Sequence, residues 1–296
     1  MTESPKKKSL GKTDPSLLSV IVPSYNCKTI FRDLSVLNQY LSDLNRPFEI
    51  ICVIDGRKNK NDNIITRAKK NKNKKIKIYF YAENKGKGYA IRFGMARAKG
   101  GIIAFFDAGS DLNAKGIGLA LEHMKWYGAD IIIGSKRHNA SKVFYPFSRK
   151  VLSFIVQKST RFLFGLNVSD TQTGLKVFKR EVLEKVLPRL IVKRWAFDLE
   201  ILAVASHLGF KKIYESPVEI NYNFSSNIGI QAIQNFIIDY LAIIYRIYIL
   251  HYYDDNHHDL WQGDPKLKLK YSSTDKPRPH RQANHPEKGI KKKSKT

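Results

Sequence analysis

Cysteine is scarce in this chain: 296 residues contain two, Cys27 and Cys52. Their spacing suits neither a metal site nor a disulfide framework, which excludes a small cross-linked or zinc-held fold. Cys52 lies inside an apolar run and reads as core, so a reducing compartment fits best. Long hydrophobic runs are also missing. No stretch offers roughly 18 uncharged apolar residues, so a membrane-spanning helix is not expected. The polar, basic amino terminus has no apolar segment of the signal-peptide kind. A cytoplasmic location is therefore expected, and the sequons at Asn139, Asn167 and Asn223 carry little weight. Acidic residues are the third shortage, 26 against 52 lysines and arginines, for a net charge of +26.

That excess calls for an anionic partner: nucleic acid, acidic lipid headgroups or a phosphorylated ligand. Part of it sits in the tails, at Lys6–Lys8 and Lys291–Lys295, where a solvated surface explains it equally well. The rest runs through the body, as between Lys69 and Lys77. Residues 1–16 read as a disordered basic lead and 254–296 as a disordered polar and basic tail.

Between the tails, short apolar runs alternate with helical patterns. Strands are expected at Ser19–Tyr25, Glu49–Asp55, Lys75–Tyr81, Ile102–Asp107 and Asp130–Ser135. Helices are expected at Ile30–Leu44, Asn63–Lys70, Tyr89–Ala98 and Ile117–Trp126. Continuous rather than alternating apolar strands point to a parallel sheet covered on both faces. Beyond Arg137 the rhythm breaks. An apolar helix is expected at Val151–Leu166, strands at Thr173–Phe178 and Ile213–Ile220, and a helix at Phe197–Leu208. A long helix rich in Ile and Tyr follows at Ile228–Tyr253.

In open α/β sheets ligands bind beyond the carboxyl ends of the strands. Those ends hold Pro23-Ser24-Tyr25-Asn26, Asp55-Gly56, Asn84-Lys85-Gly86-Lys87-Gly88, Asp107-Ala108-Gly109-Ser110-Asp111 and Gly134-Ser135-Lys136-Arg137. Turns need glycine and polar residues, but not repeated carboxylates. Asp55 suits a base or ribose, or else a helix N-cap. The Asn84–Gly88 loop opens a helix, so its N–H groups and lysines suit phosphate, or it is a plain surface turn. It is not a Walker A loop. Asp107 and Asp111 are hard oxygen donors of the kind a divalent cation and a diphosphate require.

These strand ends, with Ala90 after the glycine loop, resemble those of family 2 glycosyltransferases. Asp170-Thr171-Gln172-Thr173-Gly174-Leu175-Lys176-Val177-Phe178 and Trp195-Ala196-Phe197-Asp198-Leu199-Glu200 resemble the dolichyl-phosphate glucosyltransferase and mannosyltransferase branch. The resemblance covers roughly residues 17–250, with its motifs in order. It implies a Rossmann-like α/β fold of the GT-A type over 17–227, followed by an amphipathic helix over 228–253. It also implies inverting transfer of a hexose from UDP-glucose or GDP-mannose to a polyprenyl phosphate, with Mg²⁺ or Mn²⁺.

Carried over, the resemblance implies donor contacts from Pro23, Tyr25, Asn26, Asp55, Asn84, Lys85, Gly86, Lys87 and Asp107. Asp107, Asp170, Gln172 and Lys176 would stand at the reacting groups, with Asp107 on the metal. For a phosphate acceptor, charge makes Arg149, Lys150, Arg161 and Lys176 the candidate contacts, with Asp198 beside them. Two departures stand out. Cys27 and Lys28 follow the first Asn where the family often has an acid. The usual Asp-x-Asp is replaced by Asp107-Ala108-Gly109, so either Asp111 supplies the second ligand or metal binding is weaker.

A phosphate acceptor is already anionic and needs positioning cations more than a base. For a saccharide hydroxyl, Asp170 would be the natural base. Ile228–Tyr253 is either an interfacial helix with tyrosines at headgroup depth, drawn by the basic tails to anionic lipid, or an ordinary packed helix. Two other classes compete. A sugar nucleotidyltransferase would carry a Gly-rich, Arg-containing loop after the first strand, and Pro23–Lys28 is not one. A nucleic-acid-binding protein would explain the charge, but no specific nucleic acid partner is expected.

Overall fold

The computed structural model describes residues 14–56, 64–109, 112–138, 141, 157–219 and 230–255. A seven-stranded sheet forms from β1 (Asp14–Ser24), β2 (Phe48–Asp55), β3 (Ile76–Tyr81), β4 (Gly100–Phe106), β5 (Ile131–Ser135), β6 (Leu175–Lys179) and β7 (Ile213–Pro217), in the order β3-β2-β1-β4-β6-β5-β7. The β1–β2, β2–β3, β1–β4 and β5–β7 pairs are parallel. Strand β6, whose direction the sequence leaves open, runs antiparallel to both β4 and β5. Its direction has a consequence: the chain entering β6 crosses the carboxyl edge of β4, so Asp170–Gly174 lies beside Asp107. The Asp107 N–H donates to the Gly174 carbonyl at 2.9 Å.

Alternate side chains of the central strands feed two cores, as the two-residue period of a strand requires. Leu18, Val20 and Val22 pack with α1 (Ile30–Asp43), α2 (Ile64–Lys69) and α4 (Lys115–Tyr127). Helix α1 buries Ile30, Leu34, Leu37 and Leu41, one stripe at helical spacing. On the other face Ile21 and Phe105 pack with α3 (Lys87–Met95), α6 (Arg180–Val186) and α7 (Phe197–His207). The described part of α5 is helical over 157–164. Helix α6 falls where no helix was expected. It is two turns long and buries only Val182, Leu183 and Val186, too short a pattern to stand out from its sequence.

Two expected boundaries shift. Strand β1 begins at Asp14, inside the expected disordered lead, because the Asp14 N–H pairs with the Lys99 carbonyl at 3.2 Å. Helix α8 (Ile230–Tyr248) is followed by a short turn of helix at Tyr252–Asp254, and Tyr253 is fully buried. One side of this segment packs as an ordinary helix would, and the other is exposed. Ile243 and Ile247 join the core, and the Tyr240 hydroxyl meets Ser159 Oγ at 2.8 Å. On the outside, Ile237, Ile238, Leu241, Tyr245 and Ile249 are exposed. Among the described residues no helix is long and apolar enough to cross a membrane. Residues 1–13 of the lead and 256–296 of the tail lie outside the described residues.

Away from the carboxyl edge, one buried carboxylate ties three strands. Glu49 on β2 accepts from Ser19 Oγ on β1 at 2.7 Å, from Lys77 Nζ on β3 at 2.5 Å and from the Lys99 N–H at 2.7 Å. Burial alone would raise its carboxyl pKa, but Lys77 and these donors outweigh it and hold it below the usual value. A carboxyl depressed in the folded state contributes stability above the unfolded pKa and loses it as pH falls through the folded one. Glu49→Gln should therefore cost about 2 kcal/mol at pH 7. That gap should shrink as pH drops below about 4, where the unfolded carboxyl is protonated. Urea unfolding midpoints at pH 7 and pH 3 check both signs.

Candidate active site

Strand β2 ends in Asp55, which is buried beside the Asn84–Gly88 turn. Its carboxylate accepts the Lys85 N–H at 2.7 Å, the Gly86 N–H at 2.9 Å and Asn84 Nδ2 at 3.2 Å. Asp55 thus shapes the loop from below. This turn demands glycine. Gly86 has φ +95°, and a Cβ there would lie 2.4 Å from the Lys193 carbonyl oxygen. The Gly88 N–H donates to that same carbonyl at 2.9 Å.

From this turn Lys87 reaches across the strand ends. Its Nζ stands 2.8 Å from Asp107 Oδ2 and 2.9 Å from Asp198 Oδ2. Asp198, in the first turn of α7, turns its other oxygen to Lys176 Nζ at 2.6 Å, and Lys176 also donates to the Thr173 carbonyl at 2.8 Å. The result is a line of alternating charge, Asp107–Lys87–Asp198–Lys176, dry at the Lys176 end and open at Asp107. Lys176 is fully buried, whereas the Asp107 side chain is 23% exposed. Burial works against the charges of Lys87, Asp198 and Lys176. At Asp198 the two lysines outweigh it and hold the carboxyl below its usual range. For Lys87 the Asp107 and Asp198 carboxylates outweigh it and raise the ammonium. In Lys176 burial prevails and lowers it.

Asp170 sits where the chain crosses toward β6. Its carboxylate accepts the Gln172 N–H at 2.9 Å, the Lys136 N–H at 3.2 Å and the Thr173 hydroxyl. The turn is held from behind by Glu215 on β7, which takes the Ser169 N–H at 2.8 Å and the Asp170 N–H at 3.0 Å. On the other side of Asp107, Asp33 in the first turn of α1 accepts the Gly109 N–H at 3.2 Å. Sequence reasoning missed Glu215 and Asp33. The only signals were a charge inside a five-residue strand and an acid at a helix start, and both have commonplace explanations.

The expected residues divide accordingly. Asp55, Asn84, Lys85, Gly86, Lys87, Asp107, Lys176 and Asp198 are joined in one network, with Asp170 and Gln172 on the adjoining turn. Pro23 is buried in β1, Tyr25 is half exposed, and Asn26, with φ +53°, turns the chain at the strand end. Lys176 and Asp198, expected at the acceptor, are buried and paired with each other. Their burial within apolar motifs concealed this in the sequence. Arg161 is exposed on α5. Asp111, Arg149 and Lys150 lie outside the described residues.

A glycosyl transferase family 2 model matches residues 19–187. The chain belongs to that family. It is a glycosyltransferase with the GT-A fold. Among its relatives, a dolichyl-phosphate β-glucosyltransferase of Drosophila melanogaster is 33% identical over 66% of this chain and 64% of that one. So the match spans slightly less than two thirds of the fly enzyme. Another of that name from Trichomonas vaginalis is 32% identical over 78% of this chain and 75% of its own. The human one is 29% identical over 72% and 69%. Among solved structures, glucosyl-3-phosphoglycerate synthase from Mycobacterium tuberculosis with Mn²⁺, UDP-glucose and phosphoglyceric acid shares the fold. Its TM-score is 0.57 at 14% identity, covering 78% of this chain and 79% of that one.

The family's metal can be tested against the residues present. Among the described residues no three His, Cys, Asp or Glu side chains converge as a metal cage. A cation of the Mg²⁺ type often takes one or two carboxylates and completes its shell with substrate phosphates and water. Asp107, partly open at a strand end, fits that mode of binding.

The line of charges makes a stability prediction. Asp198→Asn leaves two ammonium groups without their shared buried counter-charge and should cost about 3–5 kcal/mol. Adding Lys176→Met should recover much of that loss, since the charge left unpaired in the interior is then gone. Urea unfolding of the single and double variants measures both.

Proposed function

We propose that this enzyme moves glucose from UDP-glucose to a dolichyl-type polyprenyl phosphate, with inversion, at a membrane surface. The observation that carries this reading is Lys87 held between Asp107 and Asp198 at the carboxyl edge. A fixed ammonium beside a partly open carboxylate suits a diphosphate and its cation. The name shared by the relatives supports glucose and the lipid phosphate. UDP-glucose in the related fold supports the donor over GDP-mannose.

The chemistry follows from charge. The acceptor oxygen carries no proton at neutral pH, so it can attack the anomeric carbon from the face opposite the diphosphate without a general base. One C–O bond to phosphate forms as the C–O bond to the diphosphate breaks. Lys87 has two of its N–H groups on carboxylates and can turn the third to the leaving diphosphate. A divalent cation on Asp107 would neutralise further charge there. Asp55 and the Asn84–Gly88 turn fix the donor's place before reaction, which contributes through orientation. Asp170 favours the phosphate acceptor over a saccharide hydroxyl, because two donors within its own turn and the Lys136 N–H after β5 already engage its oxygens. Its part is to hold that turn beside Asp107.

Lipid access is supported by the outer side of α8. Ile237, Ile238, Leu241, Tyr245 and Ile249 form an exposed apolar stripe, and Phe162 on the adjoining α5 is 88% exposed. Such a helix lies in the interface plane, and the net charge of +26 adds attraction to anionic headgroups.

Two experiments test the proposal. Labelled glucose should pass from UDP-glucose to dolichyl phosphate, with GDP-mannose a poor donor. Asp107→Asn or a chelator should lower the rate by at least about a hundredfold. Full activity in chelator would remove the metal, and efficient transfer to a free saccharide alone would remove the acceptor. Separately, Ile238→Asp with Leu241→Asp should reduce co-sedimentation with phosphatidylserine vesicles about tenfold or more while leaving the melting temperature nearly unchanged. Unchanged sedimentation would mean that α8 does not bind lipid.

A further inference from the structure

Glu200, two residues beyond Asp198 on α7, is fully buried yet touches none of the four charges in the line. Its carboxylate accepts the Ile191 N–H at 3.1 Å, the Val192 N–H at 3.0 Å and the Tyr253 hydroxyl at 2.8 Å. The segment it grips is the floor of the donor loop. The next residue, Lys193, receives the Gly88 N–H, and a Cβ at Gly88 would lie 2.8 Å from the Val192 carbonyl oxygen. Tyr253 in turn belongs to the short helix after α8, where its carbonyl accepts Arg189 Nε at 2.9 Å.

We infer that Glu200 is a positioning residue for the nucleotide donor, and that the Tyr253 hydroxyl, by clamping Glu200, makes donor binding depend on the seating of the chain after α8. This rests on the donor reading above. The physical reason is that a buried carboxylate with three donors has one arrangement in which all are satisfied, and removing a donor frees it to shift. Any shift of Ile191–Lys193 reaches Gly86 and Gly88 directly, because neither has space to absorb it. Lys87 lies between them, so the ammonium aimed at the diphosphate moves as well. An ordinary packing role for Tyr253 would lower stability but leave donor affinity alone.

The test uses the full chain carrying Tyr253→Phe, which keeps the ring and removes only the hydroxyl. Ile132→Val, in the core on the opposite sheet face, serves as the control for lost stability. UDP binding is measured by calorimetry, and the donor KM and kcat in the transfer assay. Tyr253→Phe should weaken UDP binding and raise the donor KM by about five- to tenfold, with kcat within about twofold of wild type. Ile132→Val should change neither. Glu200→Gln, which offers an NH₂ group where one N–H needs an acceptor, should reproduce the effect or exceed it. Tyr253→Phe with wild-type UDP affinity and donor KM would overturn the inference, whatever its melting temperature. A wild-type chain that binds no UDP would instead overturn the donor reading on which it rests.

Discussion

Asp198 is shared by two lysines in a setting where charge is expensive. Lys176 lies deeper, with no exposed surface, and Lys87 lies nearer the strand ends, reaching on to Asp107. Two ammonium groups and one carboxylate leave a surplus positive charge inside the protein, and a second carboxylate, Asp107, balances it at the open end. Each ion is tolerable only because its neighbour is fixed within hydrogen-bond distance. The arrangement therefore constrains α3, α7, β4 and β6 together. It also delivers one oriented cation to the edge of the sheet where an α/β fold binds its ligand.

The supports around that cation are made in a similar way, by carboxylates gripping backbone N–H groups, buried at Asp55 and Glu200 and half-buried at Glu215 and Asp33. Asp55 holds the turn before Lys87, Glu200 the segment behind it, Glu215 the Asp170 turn and Asp33 the Gly109 turn. Loops built from polar backbone would otherwise be the least ordered part of the domain. Here each is tied to a strand or helix by an acceptor stronger than a neutral one. Acidic residues are few in this chain, and these four have structural duties at the carboxyl edge.

Much of this was legible in the sequence because strand ends announce themselves. An apolar run that stops at Asp55 or Asp107 places a carboxylate at a predictable edge, and the run of motifs through Glu200 identified the family. What could not be read was direction and depth. Nothing in Leu175–Lys179 distinguishes an antiparallel strand from a parallel one, since both faces are buried either way. Lys176 and Asp198 looked like ligand contacts because charges usually face solvent or substrate, and only three-dimensional packing pairs them in the interior. Helix α8 was ambiguous for a related reason: its apolar residues cover more than one face, and the sequence does not say which face meets the core.

The most direct measurement of the central claim is UDP affinity after Lys87→Met, which keeps the length of the side chain and removes its charge. If the buried line exists to hold this ammonium against the donor diphosphate, calorimetry should find affinity reduced by about thirtyfold, in keeping with the loss of a strong charge-assisted bond. A circular-dichroism spectrum like that of wild type would show the fold intact. Wild-type affinity in the folded variant would contradict the account, because Lys87 would then serve the internal charge balance alone.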